Sequence, residues 1–403
     1  MQPDTFQITR RQALAAGVIT GASALGLPRR WFRSAYESPA PVENAAWPMG
    51  QHDPAGTGHT EDSVTIQTRN QPAWSAKIDD PVLGIVAGGE QLFFTTNRSV
   101  GAIARSDGTI NWHVSQFNPI PWRNESLSFA IEPTYLGDQL LVAESDSIVA
   151  LNPENGTTLW EFETDETITS MLALGNTVYC EATLENEQVT VALDASSGFE
   201  RFRVPTERAI HPQVSSGDLL VGTAVDDPRT VRALDSKSGN TRWTQTLDVP
   251  QQSAALVGTG GPCIVEGTVI FGGQTVQAVS LEGGATRWTQ QLDVTNDGRF
   301  AVVSNGEMVH VFALEADLIA GLTLSDGDDL WTMSKLGLAD WNPALTADVL
   351  YVGVDDGMYS VAPKSGLAAL PKISAFTAMW SPIAVDGVLY AVRDDGVVKL
   401  KGQ

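Results

Sequence analysis

The sequence predicts an all-β fold: an eight-bladed β-propeller of four-stranded antiparallel blades, closed by the N-terminal strand. Three observations predict it. A glycine-to-aromatic turn motif occurs seven times, at intervals of 48, 42, 41, 45, 43 and 39 residues. Eight short apolar runs are spread between and around those turns. Finally, Trp74 stands in front of the first turn with no turn of its own, while the chain stops one strand short of an eighth unit. A period of this length is the signature of a propeller or solenoid, in which each repeat is one supersecondary unit.

The turn glycines are Gly108, Gly156, Gly198, Gly239, Gly284, Gly327 and Gly366. A tight hairpin needs a residue at positive φ, which glycine adopts without steric cost. Four residues on come Trp112, Trp160, Phe202, Trp243, Trp288, Trp331 and Leu370. Six residues before each glycine the side chain is small: Ala102, Ala150, Ala192, Ala233, Ala278, Gly321 and Ser360. Five before it is aliphatic, from Ile103 and Leu151 to Val361. The small residue leaves a socket that a nearby ring fills, and the aliphatic neighbour turns to the other face of the strand.

The apolar runs are Gln91–Thr95, Gln139–Ala143, Thr177–Glu181, Asp218–Gly222, Thr268–Gly272, Glu307–Phe312, Val349–Gly353 and Val388–Val392. Most follow a turn signal such as Gly137-Asp138 or Gly217-Asp218. Eight runs and seven turns leave one strand to find, and Pro72–Lys77, carrying Trp74, supplies it. Closing the ring in this way removes the exposed strand edges that invite aggregation.

The Ala-Leu-(Asp/Asn)-x-x-(Ser/Thr)-Gly-x-x-x-Trp pattern, clearest at Ala192–Gly198 and Ala233–Gly239, resembles the repeat of quinoprotein-type propellers, the pyrroloquinoline-quinone-like (PQQ-like) repeat. The resemblance covers residues 72–403, and Trp47–Gly58 looks like the lead-in that precedes such propellers. The chain is similar to the propeller of the bacterial outer-membrane barrel-assembly machinery, but no lipidated Cys follows its apolar N-terminal run. Quinone-dependent dehydrogenases share this fold. The resemblance to them implies adjacent cysteines and a carboxylate-bound calcium, and no adjacent cysteines occur.

Residues 1–30 form a twin-arginine signal region. Arg10 and Arg11 precede a weakly apolar stretch and a small-x-small site at Ala22-Ser23-Ala24, which is an export pattern. Residues 31–71 are a linker and the lead-in, and 72–403 are the propeller. No apolar run is long enough to span a bilayer as a helix. The expected location is therefore outside the cytoplasm, extracellular or associated with the cell envelope.

The formal net charge is −23, only seven of the basic residues are lysine, and Asp outnumbers Glu. Dispersed acid of this kind keeps a protein soluble where salt screens repulsion, which is a high-salt reading. It also disfavours nucleic acid as a partner, because phosphate binding needs a basic face. Cys180 and Cys263 fall in the third and fifth blades, too far apart to bridge, and are expected as buried free thiols.

No catalytic set, cofactor or metal is assigned. Asp355-Asp356-Gly357 and Asp394-Asp395-Gly396 are turn chemistry. The loops leading into the inner strands carry Pro residues with aromatics beside them, and rigid aromatics with an Arg on such loops suit a binding site. The candidate binding residues are Trp122, Arg123, His211, Trp341 and Trp380, with a structural plug of the channel as the alternative role for the tryptophans. The expected function is a monomeric, non-catalytic scaffold that binds a protein or peptide partner. A PQQ-dependent dehydrogenase and a propeller binding sugars or other small molecules are the alternatives.

Overall fold

The computed structural model describes residues 47–64, 66, 72–115, 132–144, 146–165, 168–248, 261–294, 299–339, 342–374 and 378–400, with backbone alone over 368–374. It contains eight four-stranded antiparallel sheets. In the first blade the strands are Val82–Gly88, Gln91–Thr96, Ser99–Ala104 and Ile110–Ser115, in chain order. The next six blades repeat this order. Their first strands are Thr134–Tyr135, Ser170–Leu174, Ile210–Ser216, Cys263–Val265, Phe300–Ser304 and Ala344–Leu345. First strands of neighbouring blades touch, Val82–Gly88 meeting both Thr134–Tyr135 and Met379–Val385. These inner strands therefore surround the channel, as in a propeller.

The eighth blade joins the two ends of the chain. Met379–Val385, Val388–Arg393 and Gly396–Lys399 supply three strands, and Trp74–Lys77 is the fourth. The closing register pairs Trp74 with Lys399, Ser75 with Val398, Ala76 with Val397 and Lys77 with Gly396. Arg105 fastens the seam from blade one. Its guanidinium donates to Gly89 O at 2.6 Å and to Asp386 Oδ2 at 2.7 Å. Its own carbonyl accepts from the Trp74 indole at 3.2 Å and from Lys399 Nζ at 3.1 Å.

The repeat positions have the roles their chemistry suggests, with one addition. Each ring pairs across the sheet with the small residue of its own blade: Trp112 with Ala102, Trp160 with Ala150, Phe202 with Ala192, Trp243 with Ala233, Trp288 with Ala278 and Trp331 with Gly321. The same ring also docks on the turn glycine of the next blade. Trp74 meets Gly108, Trp112 meets Gly156, Trp160 meets Gly198, Phe202 meets Gly239, Trp243 meets Gly284, Trp288 meets Gly327 and Trp331 meets Gly366. These glycines all have positive φ, and a Cβ on any of them would lie under 3 Å from the visiting blade. Turn geometry and inter-blade contact thus both require glycine at this position.

A hydrogen bond completes each tryptophan dock. The indole N–H of Trp112 reaches Pro153 O at 2.8 Å, that of Trp160 Ala195 O at 2.8 Å and that of Trp243 Leu281 O at 2.7 Å. Trp288 donates to Leu324 O at 2.9 Å and Trp331 to Pro363 O at 2.8 Å. With Trp74 on Arg105 O, every acceptor stands three residues before the glycine that the ring covers. A buried indole N–H left unpaired is costly, so the partner fixes where the ring sits.

The lead-in is built into the propeller. An inner strand is a sheet edge whose channel-side amides lack a strand partner, and such groups must be satisfied. Residues 47–64 satisfy them in passing from blade to blade. Trp47 exchanges hydrogen bonds with Ala87 of blade one at 3.0 and 2.8 Å. Pro48 O accepts from Tyr135 of blade two at 2.7 Å, and Met49 packs with Leu172 and Tyr179 of blade three. Pro54 O, Ala55 O, Thr57 O and Gly58 O accept from Ser215, Ile264, Ser304 and Leu345 of blades four to seven, at 2.6 to 3.0 Å. Val64 O accepts from Tyr351 at 2.6 Å, and Val64 and Ile66 enter the core shared by blades seven, eight and one. The lead-in thus visits the blades in chain order, its backbone bonding near the finishing ends of most inner strands, while Gly50 and Gln51 meet Glu132 and Gly261 ahead of the inner strands of blades two and five.

Candidate functional site

The strand-linking loops gather where the inner strands begin, and two of them, at Glu132 and Gly261, touch the lead-in. His211 is the second residue of the inner strand of blade four, Ile210–Ser216. A bulge between Pro212 and Val214 interrupts that strand. Gly222 on the adjacent strand makes room for it, because a Cβ there would collide with the His211 carbonyl. Bulges of this kind re-aim side chains and concentrate near functional sites. Blades one and eight carry bulges at the same end, between Val82 and Gly84 and between Trp380 and Ile383.

The His211 ring crosses to blade three. Its Nδ1 is 3.2 Å from Thr169 Oγ1 and 3.9 Å from Glu181 Oε2. The Thr169 hydroxyl donates to the same Glu181 oxygen. Its proton is therefore committed to the carboxylate, and its oxygen accepts Nδ1–H from the imidazole. That assigns the tautomer and leaves Nε2 with its lone pair. The Glu181 side chain is 2% exposed and that of His211 31%. Burial holds the His211 pKa below its usual value, so the ring is neutral at neutral pH.

A second polar group spans the channel. Glu132 of blade two accepts from Asn342 Nδ2 of blade seven at 2.8 Å. Gly50 of the lead-in leaves space for that carboxylate, since a Cβ there would fall on it. Beside it the lead-in presents Gln51, His52 and Asp53. Burial works against the charge of Asp53, but hydrogen bonds from His52 and Thr57 outweigh it and hold the carboxyl below its usual range. The Thr57 hydroxyl donates to Asp53 at 2.5 Å, which shapes the turn that presents Pro54 O and Ala55 O to blades four and five.

Of the five sequence-predicted residues, His211 stands at this mouth with the new partners Thr169 and Glu181. Trp380 is half-buried on the inner strand of blade eight and rests against the core shared by blades seven, eight and one. It and His211 belong to blades half a ring apart. Trp122, Arg123 and Trp341 lie outside the described residues. Sequence reasoning missed Thr169, Glu181, Glu132 and Asn342. Glu132 and Asn342 each precede a proline of the flagged loops, and Glu181 is an acid within an apolar run. Each of these was a usable signal.

Cys180 and Cys263 are buried free thiols in blades three and five, and burial raises both pKa values. No group of three or more His, Cys, Asp or Glu side chains is placed to hold a metal among the described residues. The adjacent thiols that the resemblance to quinone dehydrogenases implies are not formed by this pair.

The comparisons with known proteins agree with this architecture. No curated protein matches the chain. BamB from Moraxella catarrhalis aligns with a TM-score of 0.61 at 18% identity, over 82% of this chain and 96% of that one. A europium-containing methanol dehydrogenase aligns with a TM-score of 0.59 at 13% identity, over 87% and 89%. The quinohemoprotein alcohol dehydrogenase ADHIIG from Pseudomonas putida HK5 gives 0.62 at 12% identity, over 89% and 77%. At these identities the likeness is one of fold. The sequence model described as outer membrane protein assembly factor BamB matches residues 58–176 and 146–366, the greater part of the chain. The chain belongs to this BamB family of PQQ-like propellers.

Proposed function

We propose that the protein is an exported, monomeric scaffold that captures a protein or peptide partner at the cell envelope, through the mouth where the inner strands begin. Family membership supports the class of partner. The observation that carries the choice of face is the lead-in. Its backbone takes up the inner-strand amides near the ends where those strands finish, which favours the opposite end for recognition. There the bulged strands of blades one, four and eight and the His211 group are found. Export through the twin-arginine segment belongs to the same proposal, and the acidic surface, with net charge −23, disfavours nucleic acid.

A photo-crosslinking residue tests the face. One is placed at Glu207, exposed on the loop leading into the inner strand of blade four. Another is placed at Leu159, 49% exposed at the start of an outer strand. In the native envelope, crosslinks to protein from Glu207 and none from Leu159 are expected. Equal crosslinking, or none at Glu207, removes the proposal. Mixing the protein with PQQ and calcium and following dye reduction with alcohols tests the dehydrogenase alternative, and no turnover is expected.

A further inference from the structure

We propose that Asn155 is an N-glycosylation site, its side-chain nitrogen accepting an oligosaccharide delivered on a lipid phosphate at the outer side of the membrane. This rests on the export part of the proposed function and adds a covalent modification that partner capture does not itself require.

Accessibility supplies the first argument. Three Asn-x-Ser/Thr triplets occur, at Asn97, Asn124 and Asn155, and such an acceptor must stand on the surface of an exported protein. Asn124 lies outside the described residues. In Asn97-Arg98-Ser99 the serine is 2% exposed, its hydroxyl is 2.8 Å from Thr96 Oγ1, and Asn97 Oδ1 is buried. A transferase reaches that triplet only by breaking the hairpin. Asn155 and Thr157 are both exposed, in the turn between Ser147–Leu151 and Thr158–Glu163 of blade two. The strand before this turn is parallel to the inner strand of its blade, since each is antiparallel to the one between them. The turn therefore lies at the end where the inner strands finish, and a bulky sugar there leaves the His211 mouth open.

Orientation supplies the second. Thr157 N and Thr157 Oγ1 both donate to Asn155 Oδ1, at 3.0 and 2.7 Å. This Asx-turn holds the amide oxygen toward Thr157 and leaves Nδ2 facing solvent. The turn does not need an amide. In blade one Thr109 N donates to Asp107 Oδ1 at 2.9 Å, and in blade six Asp328 N donates to Asp326 Oδ1 at 3.3 Å. Asp107 and Asp326 each precede the turn glycine, as Asn155 does. A carboxylate thus builds the same turn on this strongly acidic chain, and only the amide adds a nitrogen that can carry a sugar. Transfer forms the bond from Nδ2 to the anomeric carbon. The anomeric C–O bond to the lipid phosphate breaks, the phosphate leaves with the electron pair, and one amide proton passes to a base of the transferase.

The test takes the full chain from its native cells, separates envelope from cell interior, and maps peptides carrying residues 97, 124 and 155 by mass spectrometry with electron-transfer fragmentation. In envelope protein, a mass increment of hexose units on Asn155 is expected, with Asn97 unmodified. Thr157→Val and Asn155→Asp should each lower occupancy of the site at least tenfold, while Thr157→Ser should retain it. Asn155→Asp should melt like the unglycosylated parent, because Asp107 builds the same turn. A wholly unmodified Asn155 in envelope protein overturns the site and leaves export standing. Unchanged occupancy in Thr157→Val also overturns it, because the mass then does not depend on the acceptor triplet. If a variant fails to fold, the map of the unsubstituted chain still decides. Arg10→Lys with Arg11→Lys tests the reading beneath. That variant should stay inside the cell with Asn155 unmodified. Its arrival in the envelope with the sugar on Asn155 removes the twin-arginine route and keeps the site. Unsubstituted protein found only inside the cell, and unmodified, removes both.

Discussion

The phenol of Tyr179 donates to the carbonyl oxygen of Ser236 at 2.8 Å. Ser236 stands three residues before Gly239, the position whose carbonyl accepts an indole N–H in the tryptophan docks. The ring on Gly239 is Phe202, which has no N–H to give. Tyr179, fully buried on the second strand of blade three, supplies the missing donor. Tyr179→Phe should leave a buried carbonyl unsatisfied and cost about 1–3 kcal/mol. Phe202→Trp should cost less in the Tyr179→Phe background than alone, because its indole then has a free acceptor. Denaturant titration of the double-mutant cycle measures the difference, and strict additivity would show that the two donors do not share Ser236.

Closure makes the chain ends interdependent. Deleting Pro72–Lys77 removes the strand paired with Gly396–Lys399 and the Trp74 dock on Gly108. It should abolish cooperative unfolding and promote aggregation through the opened edge. Arg105→Met is a milder probe. The Asp386 side chain is 52% exposed, so the ion pair itself contributes little. The lost donor to Gly89 O should still cost about 1–3 kcal/mol in denaturant titration. A deletion variant that melts like the parent would remove the closure model.

His310 gives the fold an acid limit. The residue is fully buried on the second strand of blade six, with Nε2 3.2 Å from Pro363 O. Burial pushes its pKa down to about 4, although hydrogen bonds to Pro363 and Val303 oppose the shift. The folded value lies below the unfolded one, so the unfolded chain binds the proton first as pH falls. Its contribution to stability is complete above about 6.5 and is lost as pH falls toward 4. The loss amounts to roughly 3 kcal/mol at 1.36 kcal/mol per unit. His310→Gln should flatten the curve of unfolding free energy between those values. An equally steep curve in the variant would assign the slope to other groups.

The docking code was legible because it repeats: a glycine, a ring four later and a small residue six before survive in a single sequence as a period. The direction of the dock was not, since spacing along the chain cannot tell a ring that fills its own blade's socket from one that also covers the next blade's turn. Leu370 shows how much the direction matters. Blade seven faces blade eight, whose third and fourth strands come from opposite ends of the chain. No hairpin joins them, so no turn glycine and carbonyl wait for a tryptophan, and the sequence has lost the aromatic there. The lead-in circuit was hidden because its bonds are made by backbone, which leaves only Gly and Pro as traces. The His211 group was hidden because Thr169, Glu181 and His211 converge from two blades.

Charge yields a prediction independent of the site. At a net charge of −23, self-repulsion opposes the compact state until counterions screen it. Local pairs such as Arg201 with Asp194 and Arg232 with Asp226, both at or under 2.8 Å, weaken in salt by much less than the long-range repulsion does. The thermal midpoint should therefore rise from dilute buffer to molar KCl. A flat or falling midpoint would leave the acidic composition without a high-salt role.

At the mouth, stability and binding should separate by residue. Trp160 is 9% exposed and bonded to both Ala195 O and Gln139 Oε1, so Trp160→Ala should cost about 3–5 kcal/mol and lower capture only by lowering the folded fraction. Trp122 and Arg123 lie in the longest predicted link, and replacing both should weaken partner capture while the melting curve stays nearly unchanged. Trp380 is the informative intermediate. It rests against the core of blades seven, eight and one while its strand carries a bulge and Ser381 holds a positive φ of 44°, strain that a purely structural plug does not need. If Trp380 belongs to the binding face, Trp380→Ala should reduce capture per folded molecule as well as stability. If it only fills the channel, the melting midpoint should fall and capture per folded molecule should be unchanged. Melting and capture measured on the same samples of Trp380→Ala, Trp341→Ala and Trp160→Ala decide between these roles.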